Sequence, residues 1–376
     1  MIRIRIIITT IYFISTAIFC SHVLAKNQIE LLELPSVNSK LASQSVLMNM
    51  FANEDGIFTV GERGHIIKWT DDTNWFQYQS PVSVAITDIY STSNQFRVAV
   101  GHDAVILINE KDDTNWHKAF DGYQLAALQI EKLNELIELQ KAKIESIADE
   151  DERYDAEYRL EDLILGLEDA LLEQQKGPNK PLLSVVVTSN NRIFAAGSYG
   201  ILLQSDDKGK SWQLVSDKLD NPDNFHLNDT LTAPDGSLYI VGENGTGFYS
   251  RDNGESWVKM TLPYHGSFFG IITTPDNSLL VTFGLQGTIA TSNDKGETWA
   301  LVNSPSRVSL LGGTATNNDI WLVGHGGLVL NFPKNEPQKL SIRKHPSGAA
   351  LAAVAVSNQD LILAGQFGIS RWQLTK

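Results

Sequence analysis

The 376-residue chain contains a single cysteine, Cys20, which lies in an apolar leader at the N-terminus. One thiol excludes an intrachain disulfide, and we expect Cys20 to be discarded with the leader, which leaves no thiolate for a metal site. Phe19, directly before it, is bulky, so we do not expect Cys20 to be lipidated and we expect no stable lipid anchor. If the leader directs secretion, a chain without disulfides fits a bacterial periplasm, where the size of the protein rather than cross-links provides stability.

Basic residues are also few. The chain has 30 Lys and Arg against 44 Asp and Glu, which gives a formal net charge of −14. Binding nucleic acid needs a basic face, so we expect no nucleic-acid partner. The sequence has no phosphate-binding glycine loop followed by a helix, no zinc-ligand spacing and no nucleophile elbow. We therefore predict no cofactor, no metal site and no catalytic residues.

The N-terminal leader is too short to be a typical membrane span. Its apolar run covers 6–19, whereas a spanning helix needs about 20 residues. Two arginines precede the run, and Val23 and Ala25 follow it at the −3 and −1 positions of a signal-peptidase site. We predict a cleaved Sec-type signal peptide at 1–25 and a periplasmic or secreted protein; an uncleaved membrane anchor is the alternative.

A short pattern, Ser-x-Asp-x-Gly-x-Ser/Thr-Trp, which we call a box, occurs at 205–212, 250–257 and 292–299. A degenerate copy, DDTNW, occurs at 71–75 and 112–116. Ser and Asp side chains bond backbone amides in tight turns, and glycine permits a positive φ. A tryptophan buries a large ring. We interpret these boxes as structural rather than metal-binding. Their residues are Ser205, Asp207, Gly209, Trp212, Ser250, Asp252, Gly254, Trp257, Ser292, Asp294, Gly296 and Trp299.

A second pattern is an apolar strand that ends in Gly-x-x-Gly and is followed by another strand. Its leading glycines are Gly61, Gly101, Gly197, Gly242, Gly284, Gly324 and Gly365. Five of the six intervals are 40–45 residues, and the second copy has Ala104 in place of the closing glycine. We expect these glycines to serve the backbone conformation of hairpins.

A unit of about 41 residues with four short strands is typical of a propeller blade. We predict an all-β, seven-bladed β-propeller with four-stranded antiparallel blades. The last copy ends after its third strand, so we expect 29–35 to close the ring by pairing with the C-terminal blade.

One interval is longer, at 96 residues, because it contains 121–180. Apolar residues recur there at spacings of three and four, which predicts two antiparallel, coiled-coil-like helices with a tip near 148–153. The insertion carries 16 Asp and Glu against 7 Lys and Arg. The predicted organisation is a signal peptide at 1–25, a propeller at 26–120 and 181–376, and a helical hairpin at 121–180. We predict that this hairpin docks a partner; the alternative is a solvated hairpin without that role.

In a blade of four consecutive antiparallel strands, the turn between the second and third strands lies on the same face as the connection to the next blade, and the other two turns lie on the opposite face. This counting of strands places the Gly-x-x-Gly hairpins, the blade-to-blade connections and the helical insertion on one face, and the boxes on the other. The more variable residues of the shared face are our candidate partner-binding residues: Arg63, His102, Tyr199, Tyr264, His265, Arg307, His325 and Lys344. Tyr264, His265, Phe268 and Phe269 form an aromatic group typical of binding hot spots, although the two phenylalanines could equally begin an inner strand. His102 and His325 should lie too far apart to share a metal ion.

The repeat resembles the photosystem II stability/assembly factor-like propellers, which belong to the wider group of BNR or Asp-box repeat proteins. Copies such as FGLQGTIATSNDKGETW (283–299) carry this resemblance, which covers roughly 40–120 and 181–376. It implies a non-enzymatic role, because the photosynthetic members assist assembly of a membrane complex. Those members carry clustered arginines, whereas here the arginines are spread over different blades and a helical hairpin is inserted. We therefore interpret the chain as a non-photosynthetic bacterial member.

Three functions are compatible with these observations. The first is a non-catalytic periplasmic accessory, assembly or scaffold protein that binds a protein partner, such as a membrane-protein complex, through the shared face and the insertion. The second is a glycan- or ligand-binding propeller that stacks sugars on aromatic residues. The third is a sialidase-like glycoside hydrolase, although the Arg-Ile-Pro motif usual in that class is absent.

Overall fold

The computed structural model describes residues 30–69, 74–111, 113–357 and 360–373. The predicted signal peptide and residues 71–73 of the first degenerate box lie outside these ranges. Within them, the strands form seven antiparallel sheets. In each sheet, strands that follow one another in the chain are hydrogen-bonded neighbours. Blade 1 consists of β1 (Leu47–Asn53), β2 (Gly56–Gly61), β3 (Ile66–Trp69) and β4 (Trp75–Tyr78). Blade 2 consists of β5 (Ile86–Ser91), β6 (Arg97–Gly101), β7 (Ile106–Asn109) and β8 (His117–Phe120).

The remaining blades follow the insertion. Blade 3 consists of β9 (Leu182–Val187), β10 (Ile193–Gly197), β11 (Leu202–Ser205) and β12 (Gln213–Leu214). Blade 4 consists of β13 (Leu227–Thr232), β14 (Leu238–Gly242), β15 (Gly247–Ser250) and β16 (Val258–Lys259). Blade 5 consists of β17 (Phe268–Thr273), β18 (Leu280–Gly284), β19 (Ile289–Ser292) and β20 (Ala300–Leu301). Blade 6 consists of β21 (Leu310–Ala315), β22 (Asp319–Gly324), β23 (Leu328–Pro333) and β24 (Ser341–Lys344). Blade 7 consists of β25 (Leu351–Ser357), β26 (Asp360–Gly365) and β27 (Gly368–Gln373).

The first strand of each blade is the innermost. Each of these strands contacts the first strand of the next blade, and β25 of blade 7 contacts β1 of blade 1, so the seven sheets form a closed ring. Six blades have four strands, and the described part of blade 7 has three. The predicted fold class, a seven-bladed β-propeller with an inserted helical hairpin, is confirmed.

The leading glycine of each hairpin is required by a close approach between two backbone segments. A Cβ on Gly242 would lie 2.1 Å from the carbonyl oxygen of His226, just before β13. The amide of Glu243 donates a hydrogen bond of 3.0 Å to the same oxygen. An equivalent contact occurs in all seven hairpins. The φ of Gly242 is −159°, an extended value that any residue adopts, so the expectation that this glycine serves an unusual backbone conformation is wrong. That expectation holds for the closing glycine of the hairpin, Gly245, which has a φ of 70°.

In blades 1 to 5, the box tryptophan packs against the blade before it. The ring of Trp212 in blade 3 lies 5.8 Å from that of Phe120 in blade 2. The ring of Trp257 in blade 4 meets that of Phe194 in blade 3 edge to face, at 5.7 Å. Trp75 of blade 1 packs in a cluster with Ile362 of blade 7. The closure between the last and first blades therefore uses the same apolar contact as the interfaces between blades 1 and 2, 2 and 3, 3 and 4, and 4 and 5.

The prediction that 29–35 pairs with the C-terminal blade is wrong for its described residues, 30–35. A turn joins the amide of Glu33 to the carbonyl oxygen of Glu30, which interrupts any strand. Leu32 is 2% exposed and packs with blades 1 and 2, and the amide of Ser83 donates to the carbonyl oxygen of Leu31 at 2.9 Å. A single buried leucine between exposed neighbours fits a packed turn better than a strand. The chain near β27 is instead a short 3-10 turn at Ala42–Gln44.

The insertion consists of two helices, α1 (Gly122–Ser146) and α2 (Glu150–Lys176), which pack against each other. Asp121 and Gln124 form a capping box at the start of α1, and Asp149 accepts hydrogen bonds from two amides at the start of α2. The connection at 147–149 lies next to the expected tip, 148–153. Neither these helices nor any other helix in the described ranges is long and apolar enough to span a bilayer.

Candidate partner-binding face

The Gly-x-x-Gly hairpins lie beside the blade-to-blade connections. The amide of Gly245 in the blade 4 hairpin donates to the carbonyl oxygen of Gly266 at 2.9 Å. In blade 6, the carbonyl oxygen of Gly327 accepts from His345 at 2.7 Å. We call this side of the propeller, made by the hairpins and the connections, the hairpin face. It is the face that strand counting predicted.

Most of the candidate partner-binding residues are exposed on this face, but they are not brought into one cluster. They are distributed over blades 1, 2, 3 and 6 and over the connections after blades 4 and 5. The exposed ones are Arg63, His102, Tyr199, His265, Arg307, His325 and Lys344, and Tyr264 is half-buried. In the described residues, no group of three or more His, Cys, Asp or Glu side chains is arranged to hold a metal ion.

The predicted aromatic group divides into a core part and a surface part. Phe268 is fully buried between blades 4 and 5, and the ring of Tyr264 meets it edge to face at 5.9 Å. Phe269 is half-buried and His265 is exposed. Phe268 is therefore the start of an inner strand, as the simpler interpretation proposed, and it cannot be a platform for a sugar ring.

The insertion, residues 121–180, is attached to the hairpin face; we call it the arm. Lys132 on α1 forms an ion pair with Asp217 of blade 3 at 3.0 Å. Tyr123 donates a hydrogen bond to Glu30, and this bond raises the pKa of Tyr123 to about 12. A Cβ on Gly122 would lie 2.2 Å from Cβ of Pro178, so the two ends of the arm meet at its base.

A cleft of about 230 Å³ separates the arm from blade 3. Leu133, Ile201 and Leu214 form part of its apolar lining. At one side, Lys180 forms an ion pair with Glu173 and lies 5.7 Å from the centre of the exposed Tyr199 ring. Tyr199 therefore lies where the hairpin face continues into the arm.

The boxes point to the opposite face and use their own polar groups internally. Asp207 accepts hydrogen bonds from the hydroxyl and amide of Ser211, and these bonds lower the pKa of Asp207 to about 2. Ser205 Oγ accepts from the amide of Gly209 at 2.8 Å, and Gly209 has a φ of 82°. The boxes at 250–257 and 292–299 repeat these contacts. The box carboxylates thus accept hydrogen bonds from groups of their own turns.

Replacing Asp252 with alanine should cost about 1–2 kcal/mol of unfolding free energy, because the turn loses an acceptor for the Ser256 amide and the hydroxyls of Ser250 and Ser256. The folded-state pKa of Asp252 is lowered, so this stabilisation is present above pH 4 and is lost as the pH falls towards 2. Urea denaturation at several pH values tests this. Asp220→Ala, which removes an exposed ion pair with Lys259, should cost no more than about 0.5 kcal/mol. Equal losses in the two variants would contradict the account.

Sequence reasoning missed a polar group on three inner strands. The hydroxyl oxygen of Ser184 in β9 lies 2.9 Å from a carboxylate oxygen of Asp88 in β5 and 3.0 Å from one of Asp229 in β13. The amides of Val185 and Ile271 donate to these carboxylates from the next blade, each at 2.8 Å. Burial raises the pKa of Asp88 to about 6, and burial together with the nearby Asp88 charge raises that of Asp229 to about 7. An acid two residues into each of the strands ITDIYS and LNDTLT was the available signal.

The fold and the two faces define the chain as a seven-bladed β-propeller with a helical arm on its hairpin face. Among solved structures, it is similar to "YCF48 bound to D1 peptide", with a TM-score of 0.57 and 15% identity over 91% of this chain and 100% of that one. It is also similar to YCF48 from Cyanidioschyzon merolae, with a TM-score of 0.55 and 12% identity over 88% of this chain and 96% of that one. The WD40 propeller domain of Doa1 gives a TM-score of 0.58 and 11% identity over 92% of this chain and 97% of that one. At these identities the likeness concerns the fold.

No protein-family model matches the sequence, and the search of curated proteins gave no match.

Proposed function

We propose that this protein is a non-catalytic accessory or scaffold protein that binds a protein partner through the hairpin face and the arm. The observation that carries the proposal is the fixed position of the arm. Its base is held by Tyr123, which bonds Glu30, and by Lys132, which pairs with Asp217, on the same side of the ring as the variable hairpins. The arm therefore adds exposed, chemically mixed residues to the side of the propeller that carries the candidate residues, and this is the composition that protein interfaces use.

The strongly perturbed carboxylates support a structural rather than a catalytic role. Asp207, Asp252 and Asp294 bind their own turns. Asp88 and Asp229 bind the amides of adjoining inner strands. Structural networks perturb pKa values as active sites do. In each case the polar contacts of the carboxylate are to the propeller itself.

The similar propellers support a protein ligand, because one of them was solved with a bound D1 peptide. We further propose that the protein acts in the periplasm after cleavage of residues 1–25, as the leader sequence indicates. A membrane-protein complex exposed to the periplasm is the partner class we propose.

Deleting 122–179 and joining the ends with a short Gly/Ser linker tests the proposal. The linker can be short because Gly122 and Pro178 are in contact at the base of the arm. We expect the propeller to keep its β circular-dichroism spectrum and a cooperative thermal transition, while recovery of the partner by affinity purification from the native host falls at least about tenfold.

The matched control is Asp252→Ala, which perturbs the opposite face and should leave partner recovery unchanged. If the arm deletion folds and recovers the partner as well as the intact chain does, the arm has no part in binding. If Asp252→Ala reduces recovery as much as the deletion does, the assignment of the hairpin face is wrong.

A further inference from the structure

We infer that the outward side of α2 is a docking site for a basic amphipathic helix of the partner protein. This inference rests on the proposed function, since it names the part of the arm that makes the contact and the chemistry of what it contacts. Four apolar side chains carry it. They are Tyr154, Tyr158, Leu165 and Leu172, which we call the stripe, and they are 70%, 61%, 59% and 49% exposed.

The stripe is one row along the helix, in which Leu165 lies two turns, about 10.5 Å, from Tyr158 and from Leu172. At 3.6 residues per turn, its four residues fall within about 40° of one another around α2, and they span about 27 Å of its length. Ala156 and Ala170, which are buried, lie on the opposite side of the same helix. The stripe therefore faces away from the packed side of α2, and its side chains do not stabilise the helical pair.

Acidic residues border the stripe on both sides. The four neighbours of Leu165 at three and four residues' distance are Glu161, Asp162, Glu168 and Asp169, and all four are exposed. The arginines of α2, Arg153 and Arg159, lie about 100° from the nearest stripe residue around the helix, and Lys176, the last residue of α2, is the one cation of the helix in line with the stripe, one turn beyond Leu172. An apolar row enclosed by carboxylates is complementary to a helix that presents an apolar row enclosed by lysines or arginines.

Charge also argues against two other occupants. If a second copy of this chain placed its stripe on this one, the rows containing Glu161 and Glu168 would face identical acidic rows, and like-charge contacts are unfavourable. A bilayer rich in anionic lipid would likewise repel the acidic borders. A basic amphipathic helix of another protein would bury the apolar row and pair its cations with the acidic residues on both sides of that row.

The direct test uses full-length mature protein and a fluorescein-labelled synthetic helix of about four heptads, with leucine in one row and lysine on both sides of that row. We expect saturable binding by fluorescence anisotropy that weakens steeply between about 50 and 500 mM NaCl, because surface charges are screened. The same peptide with glutamate in place of lysine should bind at least about 100-fold more weakly.

Two variants locate the contact. Leu165→Gln with Leu172→Gln should weaken binding of the lysine peptide at least about tenfold, because two apolar side chains that the peptide would bury are replaced by polar amides. Glutamine is a good helix former, so α2 should remain intact by circular dichroism. The matched control is Leu139→Gln on α1, a leucine that is also 59% exposed but lies outside the stripe, and it should bind as the parent does.

The neutralising variant Glu161→Gln with Glu168→Gln should weaken binding and flatten its salt dependence.

Several outcomes would overturn the inference. These are equal binding of the lysine and glutamate peptides, an unaltered affinity of the folded Leu165→Gln, Leu172→Gln variant, or an equal loss for Leu139→Gln. A dimer in sedimentation velocity that the double variant abolishes would assign the stripe to self-association. Binding to vesicles of phosphatidylcholine and phosphatidylglycerol that depends on the stripe would assign it to membrane. If the arm deletion loses the native partner while the stripe variant keeps it, the proposed function stands and this inference fails.

Discussion

Substituting alanine for Gly242 is expected to lower the unfolding free energy by about 3 kcal/mol or more. The new Cβ would lie 2.1 Å from the carbonyl oxygen of His226, where no real Cβ fits. That oxygen accepts a hydrogen bond from the amide of Glu243, so it cannot move away without breaking the tie between the hairpin and β13.

Thermal and urea denaturation followed by circular dichroism measure the effect. The matched control is Gly236→Ala, at a glycine with a φ of +85° and no atom within 4 Å of the added Cβ. It should cost only about 1–2 kcal/mol of backbone strain. If Gly242→Ala proves no worse than Gly236→Ala, the close approach is not what the repeated glycine serves.

Replacing Asp88 with asparagine is the second substitution with a large expected effect. The carboxylate accepts hydrogen bonds from Asn49 Nδ2 at 2.6 Å, from the amide of Val185 at 2.8 Å and from the hydroxyl of Ser184 at 2.9 Å. An amide nitrogen in place of one carboxylate oxygen would face these donors. The raised pKa of Asp88 means that the group is protonated at pH 4, but both oxygens of a carboxylic acid can still accept hydrogen bonds, whereas an amide nitrogen cannot. The buried donors therefore lose an acceptor, and we expect a cost of about 3 kcal/mol at pH 4.

The size of this cost should depend on pH in a defined direction. The pKa of Asp88 is raised to about 6 in the folded state, chiefly by burial, against an ordinary value of 3.8. The folded state therefore binds the proton more tightly than the unfolded state, and the resulting stabilisation is complete below pH 4 and is lost as the pH rises through 6. Asparagine does not titrate, so the stability advantage of the parent over Asp88→Asn should shrink as the pH rises from 4 to 7.

Urea denaturation of parent and variant at pH 4, 5, 6 and 7 tests this, with Asp220→Asn as an exposed control whose effect should be small. An advantage that grows with pH would mean that Asp88 is stabilised as a carboxylate in the fold. That result would contradict the role assigned to burial.

The sequence predicted the elements that repeat, and it failed where a contact joins distant segments. Seven Gly-x-x-Gly hairpins fixed the blade count because each blade needs the same turn. The reason for the leading glycine was missed, since the carbonyl oxygen that approaches Gly242 belongs to His226, 16 residues earlier in the chain. The hydrogen-bonded group of Asp88, Ser184 and Asp229 was missed because its members come from three different blades.

The N-terminal segment shows the complementary error. Leucines 31, 32 and 34 resemble a strand in composition, and blade 7 lacked a fourth strand in the repeat pattern. The turn at Glu30–Glu33 and the single buried leucine, Leu32, place the segment against blades 1 and 2 instead. Strand composition alone could not distinguish these two positions, because the deciding contacts are with Ser83, which bonds the carbonyl oxygens of Leu31 and Leu34.

The most direct test of the central proposal is hydrogen–deuterium exchange of the mature protein with and without the partner recovered from the native host. Binding through the hairpin face and the arm predicts slower exchange in the hairpins around Arg63, Tyr199 and His325 and along α2, with no change in the box turns at 205–212, 250–257 and 292–299. Protection confined to the box turns, with α2 and the hairpins unchanged, would contradict the proposal.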